Sequence, residues 1–372
     1  VLEIEGLDIV YDTEHGPLHA VRDASLTICE HESFGLVGES GSGKSTLAMG
    51  AIRYLAANGR IADGSVKLNG KELAGLSRHE MRGLWGSQIG VVYQSPLSAL
   101  NPSYRIGRQI AEVAQLHMGM DKVRSRDRAV EMLTKVAMPD PESVMERYPH
   151  QLSGGMLQRC VIAMALMTNP SLLIMDEPTT ALDVTTQAVV LDLVWDLKRE
   201  FDSAILYITH DLGVVAKICE RIGVLYAGEF MEQGELRELF HTPLHPYTLN
   251  LLGCVPHFEF GDAKRSLVCI PGFIPRIDEL PPGCVFAPRC EWAEEACVAK
   301  RPPLVEVLDG HLSACRRWNV VPPIADHSFA ATSELAPRGR ASVDDRLIEA
   351  TDVHMIFTAP GGGLLGRGER PK

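Results

Sequence analysis

The sequence has no apolar run long enough to cross a bilayer: the longest, Cys160 to Met167, falls far short of the ~18 residues a spanning helix needs. It also has no excess of basic residues. Its 36 Lys+Arg stand against 48 Asp+Glu, a formal net charge of -12. That balance leaves little to neutralise phosphate backbones or anionic lipid, which disfavours a general nucleic-acid or membrane-surface binder, although a local basic patch stays open. Aromatic residues make up only 6%. The chain starts at Val1, with Glu3 and Glu5 close behind, and so has neither an initiator Met nor the basic-then-apolar opening of a secretory signal. We expect residues to be missing at the front and take cytosolic residence as the default. What is present, 372 residues with 45% hydrophobic, is ordinary globular composition, enough for two or three compact units.

Tight C-x-x-C pairs are also absent. Of the nine cysteines, Cys29, Cys160 and Cys219 lie in apolar or mixed segments and read as small buried side chains. Cys284, Cys290, Cys297 and Cys315 crowd one stretch, with only His311 nearby. Their spacing lacks the knuckles of common zinc sites. Four thiolates can hold zinc or a four-iron cluster, and irregular spacing suits the cluster better. We expect the cluster first, zinc or unliganded thiols next, and disulfides last, since a reducing cytosol disfavours them.

Through about residue 235, short β-branched runs alternate with longer amphipathic ones. Ser33 to Val37, Ile89 to Tyr93, Leu172 to Met175, Ala204 to Ile208 and Ile222 to Tyr226 read as buried strands of an α/β sheet. Between them, Thr185 to Glu200 sets Val190, Leu193, Val194 and Leu197 on one helical face. From Ser95 to His150 the periodicity is helical throughout and predicts a helical insertion, part of a helical subdomain at 95–165. Leu236 to Val255 reads as helix, and Pro, Gly and Cys then accumulate from Pro271 to Arg317. Residues 320 to 345 have the aperiodic Pro/Ala/Ser/charge composition of a linker. Beyond it, Leu347 to Phe357 runs parallel to Val1 to Tyr11, with Glu349 matching Glu3 and an aromatic closing each. The expectation is a tandem protein whose second half begins at 346. The domains expected are thus 1–235, a C-terminal extension at 236–320, a linker at 321–345 and the start of another domain at 346–372.

Gly38-Glu39-Ser40-Gly41-Ser42-Gly43-Lys44-Ser45-Thr46 fits G-x-x-x-x-G-K-[ST] between a strand and a helix. Glycines let backbone N–H groups curl round an anion, the helix N-terminus adds positive dipole, Lys44 reaches terminal phosphates and Ser45 offers a hydroxyl to Mg²⁺. By composition alone such a match arises in about one chain in a hundred of this length. Leu172 to Met175 ends in Asp176 and Glu177. At a strand tip beside a phosphate loop, one carboxylate can support Mg²⁺ while its neighbour polarises an attacking water. Alone, two acids capping a strand are usually just solvated. Leu152-Ser153-Gly154-Gly155-Met156 reads as a capped helix start with exposed N–H groups.

That last segment is similar to the signature of ABC-transporter ATPases. The set matches in order: phosphate loop, Gln94 after the strand Ile89 to Tyr93, signature, Asp176/Glu177, Ala181-Leu182-Asp183, and His210 after the strand Ala204 to Ile208. Gln94 to Pro102, Tyr148 to Met156 and His245-Pro246-Tyr247-Thr248 resemble the oligopeptide/dipeptide/nickel importer subfamily, a likeness running nearly to Trp318. Two residues depart from it: Ser95 and Leu157 stand where that subfamily usually has Asp and Arg. The resemblance implies a P-loop NTPase core of the ABC type, α/β, with an antiparallel β-subdomain, a helical subdomain and a small Cys-rich C-terminal extension. It implies ATP and Mg²⁺ as ligands, with Lys44 and Ser45 on phosphates and metal, Asp176 supporting the metal and Glu177 as general base. His210 would contact the γ-phosphate, Gln94 would link the metal site to the permease, and Tyr11 would stack on adenine. Ser153, Gly154 and Gly155 would serve the ATP of an opposite domain. Gly283 to Cys290 resembles the region of such ATPases that holds an iron–sulfur cluster.

The partners implied are a second ABC ATPase domain, two transmembrane permease subunits and, indirectly, an extracytoplasmic solute-binding protein, with no nucleic acid. The chain would sit on the cytoplasmic face of the inner membrane. A soluble ABC-type ATPase acting on nucleic acid or ribosomes is the alternative, but it calls for long coiled-coil or basic insertions that this sequence lacks. Read from the residues singly, His210 and Gln94 are as readily structural, and Tyr11 is as readily a core aromatic; only their joint order lifts them.

Overall fold

The computed structural model describes residues 1–180, 182–255 and 270–323. A smaller, antiparallel sheet contains β1 (Leu2–Thr13) and β2 (Gly16–Ile28) and, beyond β3 (Ser33–Val37), β4 (Gly59–Leu68) and β5 (Lys71–Glu72), in the order β2-β1-β4-β5. The larger sheet takes in β3, β6 (Ile89–Val92), β7 (Leu172–Asp176), β8 (Ala204–Ile208), β9 (Arg221–Tyr226), β10 (Glu229–Glu235), β11 (Val305–Leu308) and β12 (His311–Ser313). Its order is β11-β12-β10-β9-β3-β8-β7-β6.

The two sheets show their different surroundings in sequence. Every residue of β3 and β8 is buried, as central parallel strands covered on both faces require. In β1, Leu2 and Ile4 face the core and Glu3 and Glu5 do not; after Gly6, whose φ is 57°, the buried set becomes Leu7 and Ile9. The register slips there against both neighbours, so a bulge turns the alternation over by one residue.

The expected insertion is helical, with Pro96–Ala99, Ile106–Met118, Lys122–Lys135 and Pro141–Met145. These helices share a core with Gly154–Leu166, which buries Leu157, Cys160, Val161 and Ile162. Further along the chain, Val184–Glu200 buries Val190, Leu193, Val194 and Leu197, the face expected from periodicity. The segment 236–255 is not one helix. It divides into Leu236–His241 and Pro246–Gly253, because Pro246 donates no N–H and suits the first helical position. His245 caps the second helix, its Nδ1 accepting the Tyr247 N–H at 3.0 Å.

Residues 270–323 do not stand apart from the sheet. β12 pairs with β10 through Glu232↔Ser313 and Gln233↔Leu312. The buried Glu232 carboxylate accepts the N–H groups of Leu244 (2.6 Å) and His245 (3.0 Å) and meets His311 Nε2 at 2.7 Å. Val285 and Phe286 are fully buried in the main core. Cys160 and Cys219 are buried as expected, but Cys29 is exposed, since it follows the last residue of β2 into a loop, where its N–H donates to Glu32. Residues beyond 323, with most of the expected linker and the expected domain start at 346–372 including Phe357, lie outside the described residues.

His245 makes stability depend on pH. Complete burial pushes its pKa down from 6.5 to about 3, so below pH 6.5 the unfolded chain binds a proton that the folded one refuses. Its contribution is therefore whole above pH 6.5 and is lost as pH falls towards 3, by up to about 1.4 kcal/mol per pH unit. Denaturant titrations of the wild type and of His245→Asn, which keeps an acceptor for the Tyr247 N–H, should show a shallower acid decline in the variant. Parallel declines would exclude His245 as a source of the acid sensitivity.

Candidate functional site

Four parallel strands end at one level. Leu36 of β3 pairs with Ile208 of β8, Ile208 with Asp176 of β7, and Met175 with Val92 of β6. The carboxyl edge of such a sheet is where ligands bind, and each motif residue lies at the end of its own strand or within two residues of it.

The phosphate loop follows β3. Gly38 has φ 149°, and a Cβ there would lie 2.1 Å from the Leu225 carbonyl oxygen, so only glycine fits. Gly43, at φ 100°, begins the helix Lys44–Ala51. Lys44 is 5% exposed, and its Nζ donates to the carbonyls of Gly38 and Glu39, both at 2.9 Å. Burial lowers its pKa, against the opposing pull of Glu177, Asp176 and Glu39. Ser45 Oγ donates to Asp176 Oδ1 at 2.8 Å. Burial raises the Asp176 pKa and nearby Glu177 adds to that, while the Ser45 hydrogen bond and Lys44 work against it.

Glu177 occupies left-handed backbone, φ 46°, a conformation costing about 1–3 kcal/mol for such a residue. Its N–H is held by the Ile208 carbonyl at 2.9 Å. The carboxylate accepts from Gln94 Nε2 (3.2 Å) and Thr180 Oγ1 (3.0 Å) and meets His210 Nδ1 at 3.1 Å. Because a carboxylate only accepts, this contact puts a proton on Nδ1. Burial alone would raise the Glu177 pKa, but His210, Thr180 and Lys44 outweigh it and leave the pKa lowered. The carboxylate is ionised at neutral pH.

A cleft of about 250 Å³ opens here, lined by Ser40, Gly41, Gly43, Lys44, Ser45, Thr46, Gln94 and Glu177, with Ala20 and Ile277 as apolar wall. Asp176 and His210 join it through the hydrogen bonds above. Gly38 and Ser42 form the back of the loop; the Ser42 carbonyl accepts the Gly228 N–H at 2.8 Å. Other expected residues lie outside the lining. The Tyr11 ring packs against Gly59, where a Cβ would be 2.7 Å from it. Ser153 and Gly154 are exposed; Ser153 Oγ caps its helix by accepting the Met156 N–H, and Gly155 lies against the Thr186 side chain. Asp183 accepts from the Thr186 N–H (3.0 Å) and hydroxyl (2.6 Å). Ala181 falls outside the described residues. Ala20, Ile277 and Thr180 were not found from sequence; Thr180 carried a weak signal, three residues after Glu177, and Ile277 carried none.

Cys284, Cys290, Cys297 and Cys315 line one apolar cavity of about 20 Å³ together with His245 and Phe286, and none of the four is in a disulfide. Burial pushes the Cys284 thiol up, Cys290 to about 11 and Cys315 to about 12. Among the described residues no three His, Cys, Asp or Glu side chains converge on a single metal ion. The thiols thus share a cavity without closing on one metal site, which bears on the iron–sulfur and zinc expectations alike.

Residues 21–180 match the family model described as ABC transporter, and residues 231–297 match that described as oligopeptide/dipeptide transporter, C-terminal region. The oligopeptide transport ATP-binding protein OppD of Salmonella typhimurium is 47% identical over 315 residues, 85% of this chain and 93% of that protein. A putative peptide import ATP-binding protein of Brucella abortus is 46% identical over 86% of this chain and 98% of its own length. Among solved structures, the dimeric ATP-binding cassette MJ0796 bound to ADP and Pi aligns with a TM-score of 0.57 at 28% identity, over 64% of this chain and 99% of that one.

Gly38→Ala tests the loop directly. The added methyl has no room beside the Leu225 carbonyl, so affinity for a fluorescent ATP analogue should fall at least about tenfold, or about 1.4 kcal/mol, with the far-ultraviolet circular dichroism unchanged. Wild-type affinity would mean the loop does not need glycine there.

Proposed function

The chain belongs to the ATP-binding subunits of oligopeptide-type ABC transporters, and from that membership we propose how its parts serve ATP-driven peptide import. The observation that carries the reading is the Glu177 carboxylate, ionised and held by Gln94, Thr180 and His210 at the mouth of a cleft walled by the phosphate loop. Backbone N–H groups of the loop and Lys44 bind the phosphates. Ser45 and Asp176, already joined by a hydrogen bond, are the residues that would hold Mg²⁺, with Gln94 beside them; the metal would neutralise charge on the β- and γ-phosphates. Glu177 accepts a proton from water as the water oxygen bonds to the γ-phosphorus and the bridging oxygen leaves with ADP. His210, its Nδ1 proton committed to Glu177, turns Nε2 towards the phosphate. Tyr11 remains the residue offered for adenine stacking.

Ser153, Gly154 and Gly155 are exposed or half-buried and outside their own cleft, which suits groups that complete the ATP site of a second ATPase domain. Two transmembrane permease subunits and, indirectly, an extracytoplasmic solute-binding protein complete the assembly, with this chain at the cytoplasmic face of the inner membrane. No described helix is long and apolar enough to cross a membrane. The permease contact is assigned to a groove of about 510 Å³ lined by Arg53, Tyr54, Arg78, Met81 and Trp85. There the exposed Tyr54 ring lies 6.5 Å from that of Tyr93, the residue before Gln94, which sets the groove beside the chain that carries the Glu177 partner. The reading as an ATPase acting on nucleic acid or ribosomes gains no support from the relatives' names.

Four thiols around one apolar cavity would supply a donor set for an iron–sulfur cluster. Cys284, Cys290, Cys297 and Cys315 are the residues that would hold it. It would staple residues 270–323 and needs no redox role.

Two measurements test these roles. In the assembled importer, Glu177→Gln should lower steady-state ATPase by about 10²-fold or more while keeping ATP binding; equal rates would remove Glu177 from its assigned role. Anaerobically purified protein should absorb in the visible with stoichiometric iron, and Cys290→Ser should lose that absorbance. A colourless protein carrying zinc would reject the cluster.

A further inference from the structure

Glu39, inside the phosphate loop, is held from three directions. Its N–H donates to Tyr247 Oη at 2.8 Å. Its carbonyl accepts Lys44 Nζ at 2.9 Å and the Ser42 N–H at 3.2 Å. Its carboxylate meets the Arg289 guanidinium as a fork, with Nη1 2.9 Å from Oε1 and Nη2 3.2 Å from Oε2. The Arg289 side chain is only 6% exposed, and its remaining donors are taken up as well. Nε reaches the Pro271 carbonyl at 2.8 Å, Nη1 the Tyr226 hydroxyl at 3.2 Å and Nη2 the Ile270 carbonyl at 3.3 Å. A planar fork fixed at every arm holds its carboxylate in one place, which a lysine could not do.

From this geometry we propose that Arg289 is a positioning residue for ATP binding: by clamping Glu39 it aims the carbonyl that holds Lys44, and it masks a carboxylate that would otherwise repel the incoming triphosphate. Arg289 touches neither nucleotide nor reacting atoms. Its effect passes through Glu39 to Lys44, from a segment 250 residues away in the chain. The inference rests on the cleft being the ATP site.

The test is a double-mutant cycle on the full chain, read by MgATP affinity and, in the assembled importer, by KM and kcat. Arg289→Met should weaken MgATP binding and raise KM at least about tenfold while kcat at saturating ATP stays within about twofold. Glu39→Ala should cost affinity too, and the double variant should be no worse than Arg289→Met alone, because one pathway is cut twice. Arg289→Lys, which keeps the charge without the fork, should fall between wild type and Arg289→Met, and it serves if Arg289→Met does not fold. Additive losses in the cycle, or wild-type affinity in a folded Arg289→Met or Arg289→Lys, would overturn the proposal. Failure of the wild type to bind MgATP would instead overturn the reading of the cleft.

Discussion

The parallel register that pairs Leu36 with Ile208 and Ile208 with Asp176 is what the rest of the site depends on. Because these strands stop together, the phosphate loop, the two carboxylates, Gln94 and His210 leave the sheet on one edge, although they lie far apart in sequence. Side chains alternate along a strand, so a slip by one residue would turn Asp176 away from Ser45. The left-handed backbone at Glu177 follows from the same constraint. The chain bends immediately after Asp176, so that consecutive acids address different partners, one bonded to Ser45 and the other to Gln94, Thr180 and His210.

Those partners separate the two acids electrostatically. Both are desolvated and both are near Lys44, yet the Asp176 pKa moves up and the Glu177 pKa moves down. Asp176 has one hydroxyl donor to offset its burial; Glu177 has a ring nitrogen and a hydroxyl. Such a divergence between neighbouring titratable groups fits the division of labour proposed for them. A carboxylate whose charge is poorly compensated by the protein is suited to a divalent cation, and one already stabilised as an anion is suited to orienting water.

What could be read in advance follows the range of the interaction responsible. The strands β3 and β8, the helix start at Ser153 and the phosphate loop announce themselves within a few residues, through unbroken apolar runs, a capping hydroxyl and glycines. The whole helical insertion was visible in its periodicity. β10 was not, because Glu232 and Gln233 look like surface and are buried by distant partners, among them β12, where His311 meets the carboxylate. Ile277 and Arg289 reach the cleft and its loop from a Pro-rich segment with no period of its own. Cys29 misled for the converse reason: apolar neighbours on β2 suggested burial, but the strand ends there. The break at His245 and Pro246 was legible in principle, since proline at a first helical position is a local rule.

The pairing of β12 with β10 has a practical side. β10 is an interior strand, and a recombinant cassette trimmed after Glu235 would leave its backbone ladder unpaired and strip the Glu232 carboxylate of its donors. An open strand edge of that kind recruits other chains. Expression of a shortened ATPase from this protein is therefore best ended after the β11–β12 hairpin, and insolubility of shorter versions would reflect a missing sheet neighbour rather than a defective nucleotide fold.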